Sequence, residues 1–337
     1  MSLALDPRLA VFEQHRGLLR GLAYRMLGSI ADADDVVQET FLRWGRVDPA
    51  TITSARAWLV TACTRLAIDE RRSAWRRRRT YVGPWLPEPL VDEAPPSELA
   101  ELNESLTTAF LVVLERLGAS ERAAFVLHEV LGFSHAEIAG VLGRSELASR
   151  QLVSRARRRL AGERREAAAP APEHEASATA FFAAMRAGDV AALVALLAGD
   201  AECRSDGGGK VVAARRVVRG ALRVARLLAG VARKPPPDVR WTAARVNHRP
   251  GIVLTRGGTV LATVSVDWDA RGRIAQVFTV RNPDKLRDVA GRAGALHSGA
   301  TKEVRHGLRI VHDALSSPRA RPVRRPPVGS PDAALGR

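Results

Sequence analysis

The chain of 337 residues has only two cysteines, Cys63 and Cys203, and no apolar run near the roughly 20 residues that span a bilayer. Two cysteines this far apart form neither a disulfide framework nor a CxxC pair, so we expect a reducing, cytoplasmic location. The N-terminus carries Asp6 and Glu13 and lacks a basic start followed by a long apolar stretch, so no signal peptide is expected. Secreted and membrane-spanning classes are excluded, and no membrane partner is expected.

Lysine is also scarce, although the chain is strongly basic. Only four of the 52 basic residues are lysines, and 36 acidic residues leave a net charge of +16. Three segments each carry a net charge of +6: residues 56–79, 150–165 and 287–337. A GC-rich genome would explain the preference for arginine but not this clustering. Clustered positive charge indicates a polyanionic partner.

One long segment lacks basic residues altogether. Between Thr80 and Leu114 there is no lysine or arginine, whereas six acidic residues are present. Five prolines in its first half exclude a helix there. The segment is predicted to be an extended linker between two helical blocks.

The block before the linker is predicted to contain three helices. Apolar residues recur at helical spacing in residues 9–30, 31–47 and 55–76, and Ser54 is placed to cap the third helix. The second of these helices opens with a cluster of acids, which suits a helix N-terminus. Its apolar face leaves four polar side chains outward: Asp34, Asp35, Gln38 and Glu39.

The block after the linker carries the pattern of a helix-turn-helix. Helices are predicted over residues 98–117 and from Ser120 to Leu131. Ser134 followed by Glu137 forms a capping box, Gly143 supplies a tight turn, and Ser145 can cap a longer arginine-rich helix. The pattern alone also fits an ordinary helical hairpin, although we favour DNA binding.

The rest of the chain changes from helical to mixed character. A helix is predicted over residues 178–197 and another over 215–232. Short runs typical of strands are found at 201–205, 209–215, 240–247, 251–256, 259–269 and 273–281. Helices with a run of antiparallel strands predict an α+β domain. The last twenty residues have the composition of a disordered tail.

Three parts of the sequence resemble a known family. Residues 32–42 (DADDVVQETFL) are similar to the polymerase-binding segment of conserved region two in extracytoplasmic-function (ECF) sigma factors. Residues 57–59 (AWL) and 65–69 (RLAID) resemble the promoter-opening helix of that region, and residues 127–160 resemble region four with its helix-turn-helix.

The resemblance extends to one subgroup of ECF factors that carries a C-terminal SnoaL-like domain of the NTF2-like cone fold. Three motifs carry it: WLPEP at 85–89, DGGGK at 206–210 and NPDKL at 282–286. It implies a multidomain protein with two all-α domains followed by an α+β cone. The predicted units are region 2 (1–79), acidic linker (80–97), region 4 (98–165), second linker (166–176), SnoaL-like domain (177–286) and basic tail (287–337).

The resemblance also implies partners and roles. The partners are core RNA polymerase, through its β and β′ subunits, and promoter DNA. Polymerase binding is assigned to Asp34, Asp35, Gln38 and Glu39. Recognition of the −10 element is assigned to Arg65, Asp69, Arg71, Arg72, Trp75 and Arg76, where Trp75 could equally stack on an unpaired base or cover the core.

Recognition of the −35 element is assigned to the second block. Base-reading candidates are Glu146, Ser149, Arg150 and Ser154 near the start of the recognition helix, at Ser145. Phosphate contacts are expected from Arg144, Arg155, Arg157 and Arg158. Leu147, Leu152 and Val153 are expected in the core.

A regulatory role is assigned to the three motifs. We expect the glycine-rich loop and the 282–286 segment to clasp the linker, because exposing Trp85 and Leu86 would be unfavourable. The residues concerned are Trp85, Leu86, Pro87, Asp206, Gly207, Gly208, Gly209, Lys210, Asn282, Pro283 and Asp284.

The sequence therefore predicts an ECF sigma factor regulated in cis, without enzymatic activity, cofactor or metal. The alternative is a SnoaL-type enzyme or ligand sensor fused to a helix-turn-helix regulator. The strands supply Asp267, Asp269 and His248 but no evident acid–base pair, and the cone is a candidate site for an unidentified small ligand. A weaker alternative is a nonspecific nucleic-acid-binding scaffold.

Overall fold

Three helices form the first helical block in this computed structural model, which describes residues 7–48, 51–78, 80–92, 106–161, 172–233 and 238–289. They are α1 (Pro7–Leu27), α2 (Ile30–Trp44) and α3 (Ala55–Arg78). Gly28, at φ +68°, follows α1, and the Ser29 hydroxyl caps α2 by accepting from the Asp32 amide at 3.1 Å. Three helices were predicted here, and three are found.

The second helical block contains the predicted helix-turn-helix. Its helices are α4 (Thr108–Leu114), α5 (Ala119–Phe125) with a π-helical continuation (Val126–Val130), α6 (His135–Leu142) and α7 (Glu146–Leu160). The capping box of Ser134 and Glu137 is formed, Gly143 ends α6 in the left-handed conformation, and Ser145 caps α7. Of the helix predicted over 98–117, residues 98–105 lie outside the described residues.

The two helical blocks pack against each other. Their buried apolar side chains, among them Leu22, Leu59, Leu111 and Phe125, belong to one continuous hydrophobic core. Each fully buried leucine or phenylalanine contributes about 1.5–3 kcal/mol. The sequence predicted two separate helical units, and the shared core is new information from the structure.

The C-terminal domain (residues 172–289) has the predicted α+β character. Three helices, α8 (Pro172–Ala187), α9 (Val190–Leu196) and α10 (Ala221–Ala232), pack with a seven-stranded sheet in the described part of the chain. The strands are β1 (Val91–Asp92), β2 (Leu197–Asp206), β3 (Val218–Arg219), β4 (Arg240–Val246), β5 (Arg249–Arg256), β6 (Thr259–Trp268) and β7 (Ile274–Val280).

The sheet takes in part of the linker. Its order is β1-β4-β5-β6-β7-β2-β3, antiparallel except for the β2–β7 pair. Strand β1 comes from the linker and pairs Val91 with Val246 of β4. The linker is therefore extended, as predicted, but it is docked on the C-terminal domain.

Several predicted elements differ from the structure. The predicted second linker (166–176) overlaps α8, which begins at Pro172, and the helix predicted over 98–117 begins at Thr108 and ends at Leu114. The helix predicted over 178–197 is interrupted at Gly188, whose φ of +68° ends α8, and Asp189 then caps α9. The strand predicted over 209–215 is a loop, because Gly208 and Gly209 adopt positive φ in a tight turn. The helix predicted from residue 215 begins only at Ala221, after β3 and Gly220 at φ +93°.

The two faces of the sheet have different neighbours. One face, which we call the helix face, packs against α8–α10, and large side chains such as Phe181, Phe182 and Trp268 are buried between this face and the helices. The linker face packs on Leu86, Val91 and the α4 residues Ala109 and Val112. Among the described residues, no helix is long and apolar enough to cross a membrane.

Candidate polymerase and nucleic-acid interface

Helix α2 presents an acidic outer face. Asp34, Asp35 and Gln38 are exposed and Glu39 is half-buried, whereas the apolar face of the helix is buried. Arg20 of α1 binds Asp34 through two hydrogen bonds of 2.6 and 3.1 Å. Glu39 pairs with Arg43 at 2.8 Å. The four predicted polymerase contacts thus lie together on one accessible face.

The predicted −10 surface on α3 is partly occupied by the second block. The exposed Arg65 donates to the backbone carbonyls of Val141 and Gly140 at 2.9 and 3.3 Å. Arg72 and Asp69 form an exposed pair at 3.4 Å, and the Trp75 indole is 57% exposed rather than part of the core. The side chain of Arg76 lies outside the described residues.

The assignment of Arg71 to DNA binding is wrong for this arrangement. Arg71 is buried, and its guanidinium donates to the carbonyls of Met26 and Leu117 and to the Glu115 carboxylate. A side chain enclosed in this way has no free donor facing DNA. Arg71 instead fastens the first block to the second.

Between the two helical blocks, the Glu115 carboxylate binds three guanidinium groups. It accepts from Arg78 and Arg122 at 2.6 Å each and from Arg71 at 3.2 Å. Burial raises the pKa of Glu115, but the charges of Arg122, Arg71 and Arg78 outweigh this and lower it to about 2. We call these four residues the Glu115 cluster. Sequence reasoning missed it because only the fold brings these residues together.

The outer face of α7 is accessible and strongly basic. Arg150, Gln151, Ser154, Arg155 and Arg158 line one groove. All remaining predicted −35 contacts except one are exposed as well: Arg144, Ser145, Glu146 and Arg157. Arg150 pairs with Glu146 at 2.6 Å, which orients both base-reading candidates along the helix.

The exception is Ser149, and the prediction that it reads a base is wrong for this arrangement. Ser149 is fully buried, and its hydroxyl lies 3.3 Å from Nδ1 of His135. It belongs with Val153, Ala156 and Leu160 to the buried stripe of α7. Leu147, which was predicted in the core, is 66% exposed on the other side of the helix.

The DGGGK and NPDKL motifs of the C-terminal domain contact the linker, which carries the WLPEP motif, as predicted. Asp206 accepts the Leu86 amide at 2.8 Å with one carboxylate oxygen and the Tyr81 hydroxyl with the other. Lys285 donates to Asp206 at 2.7 Å and to the Leu86 carbonyl, and Asn282 donates to the Tyr81 hydroxyl at 2.9 Å. We call these five residues the linker clasp.

The glycine-rich loop lies too close to the linker clasp for larger residues. A Cβ on Gly208, at φ +60°, would lie 2.3 Å from the Asn282 amide, and one on Gly209 would lie 3.1 Å from Val82. Lys210 pairs with Asp284 at 2.5 Å on the surface. Gly208 with Asn282 and Lys210 with Asp284 thus join the DGGGK and NPDKL motifs, and Pro283 starts a 3₁₀ turn (Pro283–Leu286).

The linker also contacts the first block. Trp85 is half-buried between Arg78 and Lys285, whose charged groups lie 3.5 and 4.1 Å from its ring, and it packs against Gly28. Leu86 and Pro87 are buried. The Glu88 carboxylate accepts the Ile30 amide at 2.6 Å, next to the start of α2.

Asn247, in the turn between β4 and β5, joins all parts of the molecule. It is buried at φ +50°, and its amide nitrogen donates to the Tyr24 hydroxyl at 2.8 Å and the Leu106 carbonyl at 3.0 Å. Its backbone amide donates to the Leu90 carbonyl at 2.7 Å. The sequence shows only a common turn residue here.

Comparisons with known proteins agree with this layout. Residues 11–77 match the model of Sigma-70 region 2, and residues 107–160 match that of Sigma-70, region 4. The chain is 39% identical over 289 residues to the ECF RNA polymerase sigma factor SigJ of Mycobacterium tuberculosis (strain ATCC 25618 / H37Rv), covering 82% of this chain and 92% of the relative.

Two further similarities extend through the C-terminal domain. The probable ECF RNA polymerase sigma factor SigI of the same strain is 36% identical over 296 residues, covering 86% of this chain and 98% of the relative. The crystal structure of M. tuberculosis SigJ superposes with a TM-score of 0.66 at 35% identity, covering 82% of this chain and 98% of the other. The chain therefore belongs to the extracytoplasmic-function RNA polymerase sigma factors, which direct transcription initiation through core RNA polymerase and promoter DNA.

Proposed function

We propose that the C-terminal domain, a SnoaL-like cone, regulates this sigma factor in cis by holding the two helical blocks in a closed arrangement. The observation that carries the proposal is the linker clasp. It attaches the segment between the blocks to the C-terminal domain through Asp206 and Lys285.

The closed arrangement is incompatible with reading two promoter elements together. Elements centred about 25 base pairs apart are separated by about 85 Å of B-form duplex, at 3.4 Å per base pair. In the closed arrangement Arg65 of α3 donates directly to the carbonyls of α6. Separation of the blocks is therefore required before both elements can be bound.

Several contacts favour the closed over the open arrangement. The Glu115 cluster supplies buried charge-assisted hydrogen bonds between the blocks. Asn247 adds hydrogen bonds from the C-terminal domain to α1 and to Leu106. Buried Leu86 and Val91 would also lose burial if the linker left the sheet.

Once the blocks separate, we propose the family's division of labour for them. The outer face of α2 contacts the β and β′ subunits, and α3 contacts the −10 element through Arg65, Arg72 and Trp75. Helix α7 reads the −35 element through Glu146, Arg150 and Ser154. Opening would release Arg65 from the carbonyls of α6. Binding of polymerase and promoter therefore competes with the contacts of the linker clasp, which keep the blocks closed.

The test removes one charge from the linker clasp. With dyes at Arg46→Cys and Gln151→Cys, both exposed positions, energy transfer reports the distance between the blocks. We expect Asp206→Asn to lower the transfer in the labelled protein. In the protein without dyes or added cysteines, we expect it to raise run-off transcription severalfold on a promoter selected in vitro from random DNA.

The matched control is Asp238→Asn, which removes a carboxylate from a surface pair with Arg256 in the same domain. We expect it to leave both readouts unchanged. If Asp206→Asn lowers transcription while the energy transfer stays high, the linker clasp does not hold an inactive state, and the proposal fails.

A further inference from the structure

The C-terminal domain has a basic segment of its own, separate from those of the helical blocks. Residues 207–237 contain eight basic residues and no acidic residue. Most of them lie in the loop before β3 and on α10, at the far edge of the sheet from β1. Apart from Lys210, which pairs with Asp284 beside the linker clasp, this charge does not contribute to the linker clasp or to the helix-turn-helix.

Six arginines in this segment are exposed: Arg215, Arg216, Arg219, Arg223, Arg226 and Arg233, the last of which lies beside Gly188. Arg219 pairs with Glu202 at 2.8 Å. Arg215, Arg216, Arg223 and Arg226 form no ion pair within the part of the chain that the structure describes. We call these four residues the outer arginine surface. Unpaired guanidinium groups in this number repel one another and favour an anionic partner.

The fold keeps α10 in place and directs its arginines outward. Val224, Ala225, Leu228 and Ala229 are buried against the sheet and the neighbouring helices. Arg223 and Arg226 are three residues apart, so they are neighbours on the opposite face. A packed helix therefore presents two fixed cations, and Arg215 and Arg216 add two more just before β3.

We propose that the outer arginine surface binds the phosphate backbone of duplex DNA, as a third DNA contact beside α3 and α7. The sigma factor already brings its C-terminal domain close to a promoter, where duplex DNA carries one negative charge per about 1.7 Å of axis. Arginine is well suited to phosphate because its planar fork donates two parallel hydrogen bonds. Because these contacts address phosphates, they add affinity and orientation without sequence preference.

A protein partner fits this surface less well. Exposed apolar residues on α10 are Leu222 and Val231, which are nine residues or about 14 Å apart along the helix, and the loop before β3 adds the exposed Val211 and Val212. Leu222 and Val231 are too far apart to form with each other the contiguous apolar centre that stable protein interfaces have. Core polymerase therefore enters only as an outcome of the test.

The experiment measures salt-dependent binding of the full chain to a fluorescent 40-base-pair duplex of arbitrary sequence. Neutralising each phosphate contributes about 0.9 to the slope of log K against log salt concentration. We expect Arg223→Gln combined with Arg226→Gln to reduce that slope by up to about 1.8. Adding Arg215→Gln and Arg216→Gln should reduce it further.

The matched control combines Arg256→Gln with Arg271→Gln, two exposed arginines of the same domain outside α10. It changes the net charge equally and should leave the slope nearly unchanged. If the two double variants reduced the salt slope equally, the proposal would be overturned, because the loss of any two positive charges in the domain would then explain the effect. Unchanged DNA binding with weakened capture of core polymerase would assign the surface to a protein and overturn it as well.

This result is independent of the cis-regulation proposal. Helix α10 packs on the helix face of the sheet, whereas Leu86 packs on the linker face. The variants at Arg223 and Arg226 should therefore keep the wild-type energy transfer between the blocks. Failure of DNA binding with unchanged transfer would reject only the outer arginine surface.

Discussion

The amide of Asn247 serves three neighbours from parts of the chain that are far apart in sequence. It donates to the Tyr24 hydroxyl and the Leu106 carbonyl, and it accepts the Leu90 amide at 3.3 Å. Asparagine also tolerates the left-handed backbone that the turn requires. Asn247 thus adopts the backbone conformation that the turn needs and also contacts both helical blocks and the linker.

At Asn247 we predict that Asn247→Ala lowers the free energy of unfolding by about 1–3 kcal/mol, because buried hydrogen-bonding groups lose their partner. Asn247→Gly should cost less, because glycine is unstrained at positive φ. Urea denaturation measures both, with the exposed Gln151→Ala as a control. If all three variants unfold like the wild type, the junction at Asn247 contributes little to stability.

At the scale of elements, α2 and α7 each combine a buried apolar stripe with an outer face on which charge of one sign predominates. In α2 the buried Ala33, Val36, Val37 and Thr40 leave the carboxylates outside. In α7 the buried stripe includes Ser149 and leaves Leu147 exposed. The hydrophobic periodicity of a helix predicts such a stripe. A small error in where the stripe is placed around the helix, however, assigns side chains such as Ser149 and Leu147 to the wrong side.

For α2 we predict that Asp35→Arg combined with Glu39→Arg abolishes association with core polymerase and leaves the helical content unchanged. Both side chains lie on the outer face, so reversing their charge should oppose a basic partner surface rather than unfold the helix. Co-purification and circular dichroism measure the two effects. Undiminished co-purification would remove this face from the polymerase interface.

For α7 we predict different effects of two exposed arginines. Arg150→Ala should weaken binding to the cognate element by about 1–3 kcal/mol and relax specificity, because it removes a base-reading side chain. Arg158→Ala should weaken binding to all sequences alike and flatten the salt dependence. Identical behaviour on matched and scrambled duplexes would contradict this division between reading and anchoring.

At the scale of the whole molecule, local patterns predicted the elements and their caps but few of the contacts between them. Ser134, Gly143 and Ser145 act within a few residues, so the sequence reveals their roles. The meeting of the three motifs was predicted through the family resemblance. Arg71 with Glu115 and Asn247 with Tyr24 act across 44 and 223 residues. Periodicity shows that a side chain is buried, not what it is buried against.

The last prediction concerns the pH dependence of the closed arrangement. The neighbouring guanidinium groups lower the pKa of Glu115 from 4.5 to about 2. A carboxylate whose pKa is depressed in the closed form stabilises that form above its ordinary pKa and loses this contribution as the pH falls from about 4.5 toward 2. The depression corresponds to about 3 kcal/mol. Energy transfer between the blocks should therefore fall with acid over this range.

Glu115→Gln provides the matched comparison, because it removes the charge but keeps the shape of the side chain. We expect it to lower the transfer already at neutral pH and to flatten the acid response, since Arg71, Arg78 and Arg122 then lack their shared anion. Glu13→Gln, in an exposed pair with Arg16, should behave like the wild type. An acid response of the same size in Glu115→Gln would show that other carboxylates, and not this cluster, hold the blocks together.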